Sequence, residues 1–423
     1  MSKYNRIKGT QDIYGDEMKY WHFVEGKTKE VFSSYCFKEV RTPIFEMTDL
    51  FARSIGDNTD VVQKEMYTFE DKGKRSVTLR PEGTAPVVRA YVENSFMNEG
   101  SPLKLFYNGS MFRYEKPQSG RLREFHQIGA EIFGSNLALA DAEVISLIYA
   151  LLKTMGLNNF IVKINSVGCP KCREEYKNIL KEYFKDIVSD LCDDCQIRYD
   201  KNIMRLVDCK KDKDLVKDAP SILDYLCEEC KVSFDSLREY LDLMGVPYEI
   251  DSSIVRGLDY YTKTAFEVEH KNLGAQGVIA AGGRYDLLVK ELNGPDTPAV
   301  GFAMGVERAV LALKAEGIDV GDNGDVDVYI VCADDSALKK GLEIVSILRK
   351  EGIKTFLNIS KRNFGAQMKH ANKVNAKFSV IIGADEVENN YLTIKDMSNG
   401  EQTKVQFSWF SKILKEKLNN LME

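Results

Sequence analysis

Apolar residues recur at helical spacing from Glu17 to Phe32, with polar residues between them, so this stretch predicts an amphipathic helix. Leu137 to Met155 carries the same pattern more strongly. Between these two the period shortens to that of strands. Phe37–Phe45 reads as a strand bent at Pro43, Val77–Leu79 and Leu103–Tyr107 as short strands, and Met111–Tyr114 and Phe125–Phe133 as two more. The segment Glu115 to Glu124 is rich in charge and holds Pro117 and Gly120, which fits a long hairpin loop.

The stretch 165–245 differs in character. It is dense in Lys, Asp and Glu, and reads as an insertion of short helices. Strand patterns return at Ala265–Glu269 and Gly277–Ala281, followed by helices over Arg284–Leu292 and Met304–Lys314. Ile318 to Gly324 has little apolar content and reads as a linker. Beyond it, strand and helix alternate: Val326–Cys332, Ala337–Lys350, Lys354–Ile359, Gly365–Asn375 and Phe378–Ile382. Such alternation predicts a small α/β domain with a partly parallel sheet. The boundaries are therefore 1–164 and 246–317 for a split core, 165–245 for the insertion, and 325–423 for the last domain.

Composition narrows this further. A chain of 423 residues exceeds one ordinary domain, and 44% hydrophobic with 29% charged residues is a globular balance. No run of about 18 uncharged apolar residues offers a membrane span. Met1 to Asp16 is polar and lacks the apolar run of a secretory signal, so a cytoplasmic location is expected. The net charge of -6 argues against a protein that coats nucleic acid non-specifically. A local patch can still bind RNA. Residues 325–423 carry 15 basic and 13 acidic side chains, and Lys354 to Lys377 holds six Lys or Arg with no carboxylate. Arg362, Lys369 and Lys373 lie in that segment, which suits an RNA backbone contact or a solvated helix face.

Five constellations carry candidate chemistry. Leu79-Arg-Pro-Glu-Gly-Thr-Ala85 places the Glu82 carboxylate beside Gly83 and the Thr84 hydroxyl at a strand end, where they can hold an ammonium group. Alone, it also reads as a capped turn. The second begins at Phe112-Arg-Tyr-Glu115 and runs through Arg121 and Arg123 to Phe125-His-Gln-Ile-Gly-Ala-Glu131. Gln127, Gly129 and Glu131 alternate and so share one sheet face. Burying Arg113, Gln127 and Glu131 is costly unless they meet a polar ligand, and arginines around a loop suit phosphate oxygens. The others are Val255-Arg-Gly-Leu-Asp-Tyr-Tyr-Thr262, Ala281-Gly-Gly-Arg-Tyr-Asp286 and Gly301-Phe-Ala-Met-Gly-Val-Glu-Arg308.

Each of the last three is weak alone. In this order, the set resembles the class II aminoacyl-tRNA synthetases, and among them the histidyl family, over essentially the whole chain. Phe37–Phe45 looks like the dimer-forming motif 1, Phe112–Glu115 with the loop to Phe125 like motif 2, and Gly301–Arg308 like motif 3. Arg256–Tyr261 and Ala281–Tyr285 look like the histidyl signatures. The resemblance implies an α+β catalytic domain with a mainly antiparallel sheet flanked by helices, plus a small C-terminal α/β domain, in a homodimer. It implies histidine, ATP with Mg2+, and the histidine tRNA as substrates and partners.

The resemblance also implies roles. Arg113 would contact the α-phosphate, and Arg256 the substrate carboxylate and α-phosphate from the opposite side. Glu115 would accept from the adenine amino group, and Phe125 would stack under the ring. Arg121 and Arg308 would hold the outer phosphates. Glu82, Gly83, Thr84 and Gln127 would surround the α-amino group, while Glu131, Tyr260 and Tyr261 would line the imidazole end. Lys116 and Gln118 would reach the acceptor end of the tRNA, and Arg362, Lys369 and Lys373 the anticodon. A catalytically dead paralogue of the same fold, which regulates ATP phosphoribosyltransferase, typically lacks several active-site residues and the C-terminal domain. Here Arg113, Arg256 and Arg308 are present.

Seven of the nine cysteines fall between 165 and 245. Cys169-x2-Cys172 and Cys192-x2-Cys195 form the most regular set and have zinc spacing. Cys227 and Cys230 can replace either pair, Cys209 fits no obvious scheme, and a set of free thiols is the alternative to a structural Zn2+.

Overall fold

The computed structural model describes residues 4–56, 59, 61–117, 120–209, 211–255, 260–274, 277–321, 326–360 and 363–420. They form two compact units, Met1–Val320 and Gly321–Glu423. Among the described residues no helix is long and apolar enough to cross a membrane.

The first unit is built on an eight-stranded sheet. Its strands are β1 (Lys38–Glu39), β2 (Leu103–Phe112), β3 (Glu124–Phe133), β4 (Phe160–Ser166), β5 (Tyr248–Ile250), β6 (Thr262–His270), β7 (Val278–Arg284) and β8 (Ala299–Gly305). In space they run β1-β2-β3-β8-β7-β6-β4-β5. Only the outer pairs, β1 with β2 and β4 with β5, are parallel; the inner pairs are antiparallel.

Alternation along β3 sorts the two faces. Ile128, Ala130 and Ile132 join the large core that also takes in Val24 and Phe32 of the helix Asp16–Ser34, Ile145 and Leu152 of Ala138–Thr154, and Ala309 and Leu313 of Val306–Ala315. The helix periodicity read at 17–32 and 137–155 belongs to this core. The opposite face carries a second cluster, in which Tyr107, Met111, Ala265 and Tyr285 of the sheet region meet Val87, Val88 and Tyr91 of the helix Thr84–Glu93. Gln127 and Glu131 belong to this face.

Three expectations need correction. Phe37–Phe45 is not one strand: it pairs only at Lys38–Glu39, and the chain re-enters a separate three-stranded sheet at Phe45–Met47. Pro43 has no N–H to give a ladder. The Arg80 guanidinium instead takes the Thr42 carbonyl at 3.0 Å. Next, Leu103–Tyr107 and Met111 onward are one ten-residue strand. Asn108-Gly-Ser110 looks like a break, yet it pairs in register with His126–Ile128, and Arg80 Nε donates to the Ser110 carbonyl at 2.8 Å. Finally, the helix over Arg284–Leu292 shrinks to Leu288–Glu291, because Arg284 ends β7 and is drawn into the interior by Asp141.

Gly321–Glu423 holds a five-stranded sheet in the order Thr355–Leu357, Val328–Cys332, Phe378–Ile382, Tyr391–Asp396, Gln402–Gln406. The first two pairings are parallel and the last two antiparallel. The helix Phe364–Lys373 is capped by the Asn363 side chain, which accepts from the Ala366 N–H at 2.9 Å. Gln367 fastens it to the sheet by two hydrogen bonds with the Cys332 backbone, 3.1 and 2.8 Å.

Candidate active site

On the polar face of the sheet lies a cavity of about 340 Å3. Glu82, Thr84, Arg113, Glu115, Arg121, Phe125, Gln127, Tyr260, Tyr261 and Arg308 all line it. Residues separated by more than 220 positions in the chain thus converge on one space because β3, β8, β7 and β6 are neighbours in the sheet.

Two of the carboxyl groups at this face are held by the fold itself. Glu82 accepts from the backbone N–H groups of Thr84 and Ala85, both at 2.7 Å, at the start of the helix Thr84–Glu93. Burial raises its pKa, against the pull of those amides. Glu131 is fully buried beneath the cavity. Its oxygens accept from Thr84 Oγ1 at 2.8 Å and Tyr285 Oη at 2.5 Å. Burial pushes Glu131 up to about 8, with the Tyr285 and Thr84 hydroxyls acting in the other direction. Gln127 lines the cavity, and its buried Oε1 lacks a hydrogen-bond partner.

Backbone fit explains two glycines. A Cβ on Gly301 would lie 1.6 Å from Glu131 Oε2, so β8 can pass the buried carboxylate only as glycine there. A Cβ on Gly83 would lie 2.2 Å from the Tyr107 ring, which gives Gly83 a packing role under the site.

The lining also holds three guanidinium groups. Arg113 Nε donates to the Pro81 carbonyl at 2.9 Å, and its guanidinium stands 5.4 Å from the Phe125 ring centroid. Arg121 pairs with Glu115 at 3.3 Å. Arg308, in the first turn of Val306–Ala315, donates to the Val278 carbonyl. Burial and then Arg121 hold Arg308 below its usual pKa. Several guanidinium groups sharing one half-buried space favour an anionic guest. Glu267 and Glu307 also line the cavity and add oxygen donors.

Some expected residues lie elsewhere. Arg256, Gln118 and Arg362 fall outside the described residues. Lys116, Lys369 and Lys373 are exposed, the latter two on the helix Phe364–Lys373. The proposed zinc set does not converge. Cys169 and Cys172 meet Cys227 and Cys230, while Cys192 and Cys195 meet Cys209 and Asp212. The reason is topological: the helices Pro170–Phe184 and Glu228–Leu243 bring their own N-terminal cysteine pairs together.

The sequence reading missed Tyr285, Tyr107, Glu267 and Glu307. Tyr285 sat in a quoted motif without a role. Glu267 could have been found from its strand, since it alternates with the apolar Phe266 and Val268 and so occupies the opposite face. Tyr107 gave no signal beyond an ordinary strand aromatic.

Comparison with known proteins agrees with this geometry. Residues 9–309 match the family model for histidyl-tRNA synthetase, and residues 327–417 that for an anticodon-binding domain. The histidine–tRNA ligase of Thermosipho melanesiensis is 51% identical over 95% of this chain and 96% of its own. That of Thermotoga maritima is 48% identical over 99% of both. The crystal structure of apo S. aureus histidyl-tRNA synthetase superposes with a TM-score of 0.82 at 40% identity, covering 98% of this chain and 100% of that one. A family model spanning the sheet, the insertion and the cavity, together with relatives at half identity end to end, leaves one conclusion: the chain belongs to the histidyl-tRNA synthetase family.

Proposed function

We propose that the cavity is where histidine and ATP react, with Glu82, Thr84 and Gln127 holding the amino acid and Arg113, Arg121 and Arg308 the triphosphate. The activity itself is histidine–tRNA ligation: histidine is activated with ATP to the adenylate, releasing pyrophosphate, and is then esterified to the 3' end of its tRNA. The observation that carries the assignment is the convergence on one space of Glu82, Thr84 and Gln127 with Arg113, Arg121 and Arg308.

In this reading the histidine ammonium sits against Glu82 and the free Gln127 oxygen, with Thr84 between them. Tyr260, Tyr261 and Glu131 surround the imidazole, Glu131 acting from beneath through the Thr84 and Tyr285 hydroxyls. A site of paired polar groups rejects amino acids that cannot satisfy them, because unmatched buried groups cost orders of magnitude in selection. Adenine lies against Phe125 with its amino group toward Glu115. Arg113 meets the α-phosphate, and the family resemblance assigns Arg256 to the substrate carboxylate and the same phosphate. Arg121 and Arg308 take the outer phosphates. Glu267 and Glu307 supply the hard oxygen donors that suit Mg2+, which neutralises phosphate charge when bound.

The second step needs RNA contacts. By the family resemblance, Lys116 and Gln118 are assigned to the acceptor end, and Arg362, Lys369 and Lys373 to the anticodon. The family match over 327–417 supports the latter. A homodimer belongs to the same reading. Ile44, Phe45, Met47 and Phe69 are about half exposed on the three-stranded sheet, an apolar surface that suits a second copy. A cytoplasmic location completes it. A structural Zn2+ fits the insertion, where Cys169, Cys172, Cys227 and Cys230 offer four thiols within 4.8 Å of one another.

Histidine binding tests the site through its protons. Below about pH 8, Glu131 is uncharged in the empty protein. Hydrogen bonds donated from the imidazole end of an arriving histidine favour its carboxylate form. Binding at pH 7 is therefore expected to release protons, seen by titration calorimetry as a binding heat that varies with the ionisation enthalpy of the buffer. Glu131→Gln should remove most of that dependence. A heat independent of buffer in the unsubstituted protein would contradict the arrangement.

A further inference from the structure

The insertion contains three Cys-x2-Cys pairs, and each is built the same way. Cys169, Cys192 and Cys227 are the N-cap residues of the helices Pro170–Phe184, Asp193–Lys201 and Glu228–Leu243. Cys172, Cys195 and Cys230 lie in the first turns and are buried. The first and third pairs face one another. Cys169 Sγ lies 3.6 Å from Cys172 Sγ and 3.9 Å from Cys227 Sγ, and the Cys227 N–H donates to Cys172 Sγ at 3.1 Å. That arrangement uses four thiols and leaves the middle pair without a cysteine pair as partner.

The fold completes the middle pair from a different place. Cys192 Sγ lies 3.8 Å from Cys209 Sγ, and Cys209 Sγ lies 3.5 Å from Asp212 Oδ2. The Cys192 N–H is 3.1 Å from both Asp212 oxygens, which fixes the carboxylate. The ligand atoms of Cys192, Cys195, Cys209 and Asp212 all lie within 4.8 Å of one another. We propose that these four residues form a second metal site, so that the insertion is a two-metal module. The proposal rests on the reading of the Cys169–Cys230 cluster as a zinc site and adds to it.

The distances carry the argument. A tetrahedral shell with Zn–S bonds of about 2.3 Å sets sulfur atoms about 3.8 Å apart. With a Zn–O bond of about 2.0 Å, a sulfur and an oxygen stand about 3.5 Å apart. The observed 3.8 Å from Cys192 to Cys209 and 3.5 Å from Cys209 to Asp212 match both edges. Sulfurs at 3.8 Å are far outside a disulfide bond of about 2.05 Å. The setting also needs a staple. Between Cys192 and Asp212 the described residues form the nine-residue helix Asp193–Lys201 and one short turn, Ile203–Leu206, over a small core that includes Leu191, Ile203 and Leu206. A metal there ties the helix start to Cys209 and closes the segment.

Metal content of the full chain, expressed with added Zn2+ and purified without chelator, decides the matter. The proposal expects about two equivalents of zinc per chain. Cys209→Ser and, separately, Asp212→Asn should each bring this to about one, and Cys227→Ser should also leave about one. Refilling Cys227→Ser with Co2+ alone should give a tetrahedral spectrum with weaker thiolate charge transfer than refilling Cys209→Ser, because three sulfurs replace four. Where a serine variant folds poorly, Asp212→Asn tests the second site in a chain that keeps every cysteine. One equivalent in the unsubstituted chain, unchanged by Cys209→Ser, would overturn the second site and leave the first. No zinc in the unsubstituted chain, with Co2+ giving no tetrahedral spectrum, would overturn both.

Discussion

Arg113→Ala should lower histidine-dependent adenylate formation by about 10²–10³ while histidine binding weakens only a few-fold. The Arg113 guanidinium is fixed before any substrate arrives. Its Nε donates to the Pro81 carbonyl at 2.9 Å, and it stands 5.4 Å from the centroid of Phe125, the proposed adenine platform. A donor held in place this way costs no reorganisation when charge grows on the α-phosphate oxygens. Its effect is therefore largest in the transition state, and the loss appears in the rate constant. Arg113→Lys should not restore it, because a point charge on a flexible stem cannot reproduce the planar fork. Single-turnover adenylate formation, with histidine affinity measured separately, separates the two effects. A variant that retained the rate and lost affinity would assign Arg113 to ground-state binding.

The largest expected effect on stability lies in a residue that never reaches the cavity. Arg284 is fully buried, as is Asp141. Its Nε donates to both Asp141 oxygens at 3.1 Å, Nη1 to the Ser135 carbonyl at 2.8 Å and to Asp286 at 3.0 Å, and Nη2 to the Leu137 carbonyl at 3.0 Å. These bonds tie the end of β7 to the entry of the helix Ala138–Thr154. Arg284→Met leaves the Asp141 charge buried without its partner, a loss of about 3–5 kcal/mol. Chemical denaturation followed by the fluorescence of Trp21 is expected to shift accordingly. Adding Asp141→Leu to Arg284→Met should recover much of the loss, since a dry apolar pair carries no stranded charge. A single variant within about 1 kcal/mol of the parent would remove Arg284 from this role.

Arg284 also shows where sequence reading stops. Ala281–Tyr285 resembles a histidyl signature, and the motif by itself gives its residues no role. In three dimensions Arg284 holds the sheet to a helix, Tyr285 holds Glu131, and Ala281 lines the cavity. The polar face of β3 was legible, because period-two alternation puts Gln127 and Glu131 on one side whatever the partners are. The arginines were legible as a set through the motifs. The partners of the cysteines were not. Spacing describes a local pair, whereas Cys169 and Cys227 meet only because two helices separated by the whole insertion bring their N-termini together. The unbroken strand Leu103–Phe112 was hidden for a related reason: Asn108-Gly-Ser110 reads as a turn until Arg80 and the β3 ladder occupy its backbone groups.

The two units make separate demands. Met1–Val320 contains every described residue assigned to adenylation, and Gly321–Glu423 has its own core around Val328, Ile330, Phe378 and Leu414. Exchange of labelled pyrophosphate into ATP, run with each amino acid in turn on the full chain and on a chain ending at Val320, addresses the central claim most directly. Histidine alone should support exchange in both, and only the full chain should go on to charge tRNA efficiently. Exchange driven by a different amino acid, or none with histidine in the full chain, would contradict the assignment of this cavity to histidine activation.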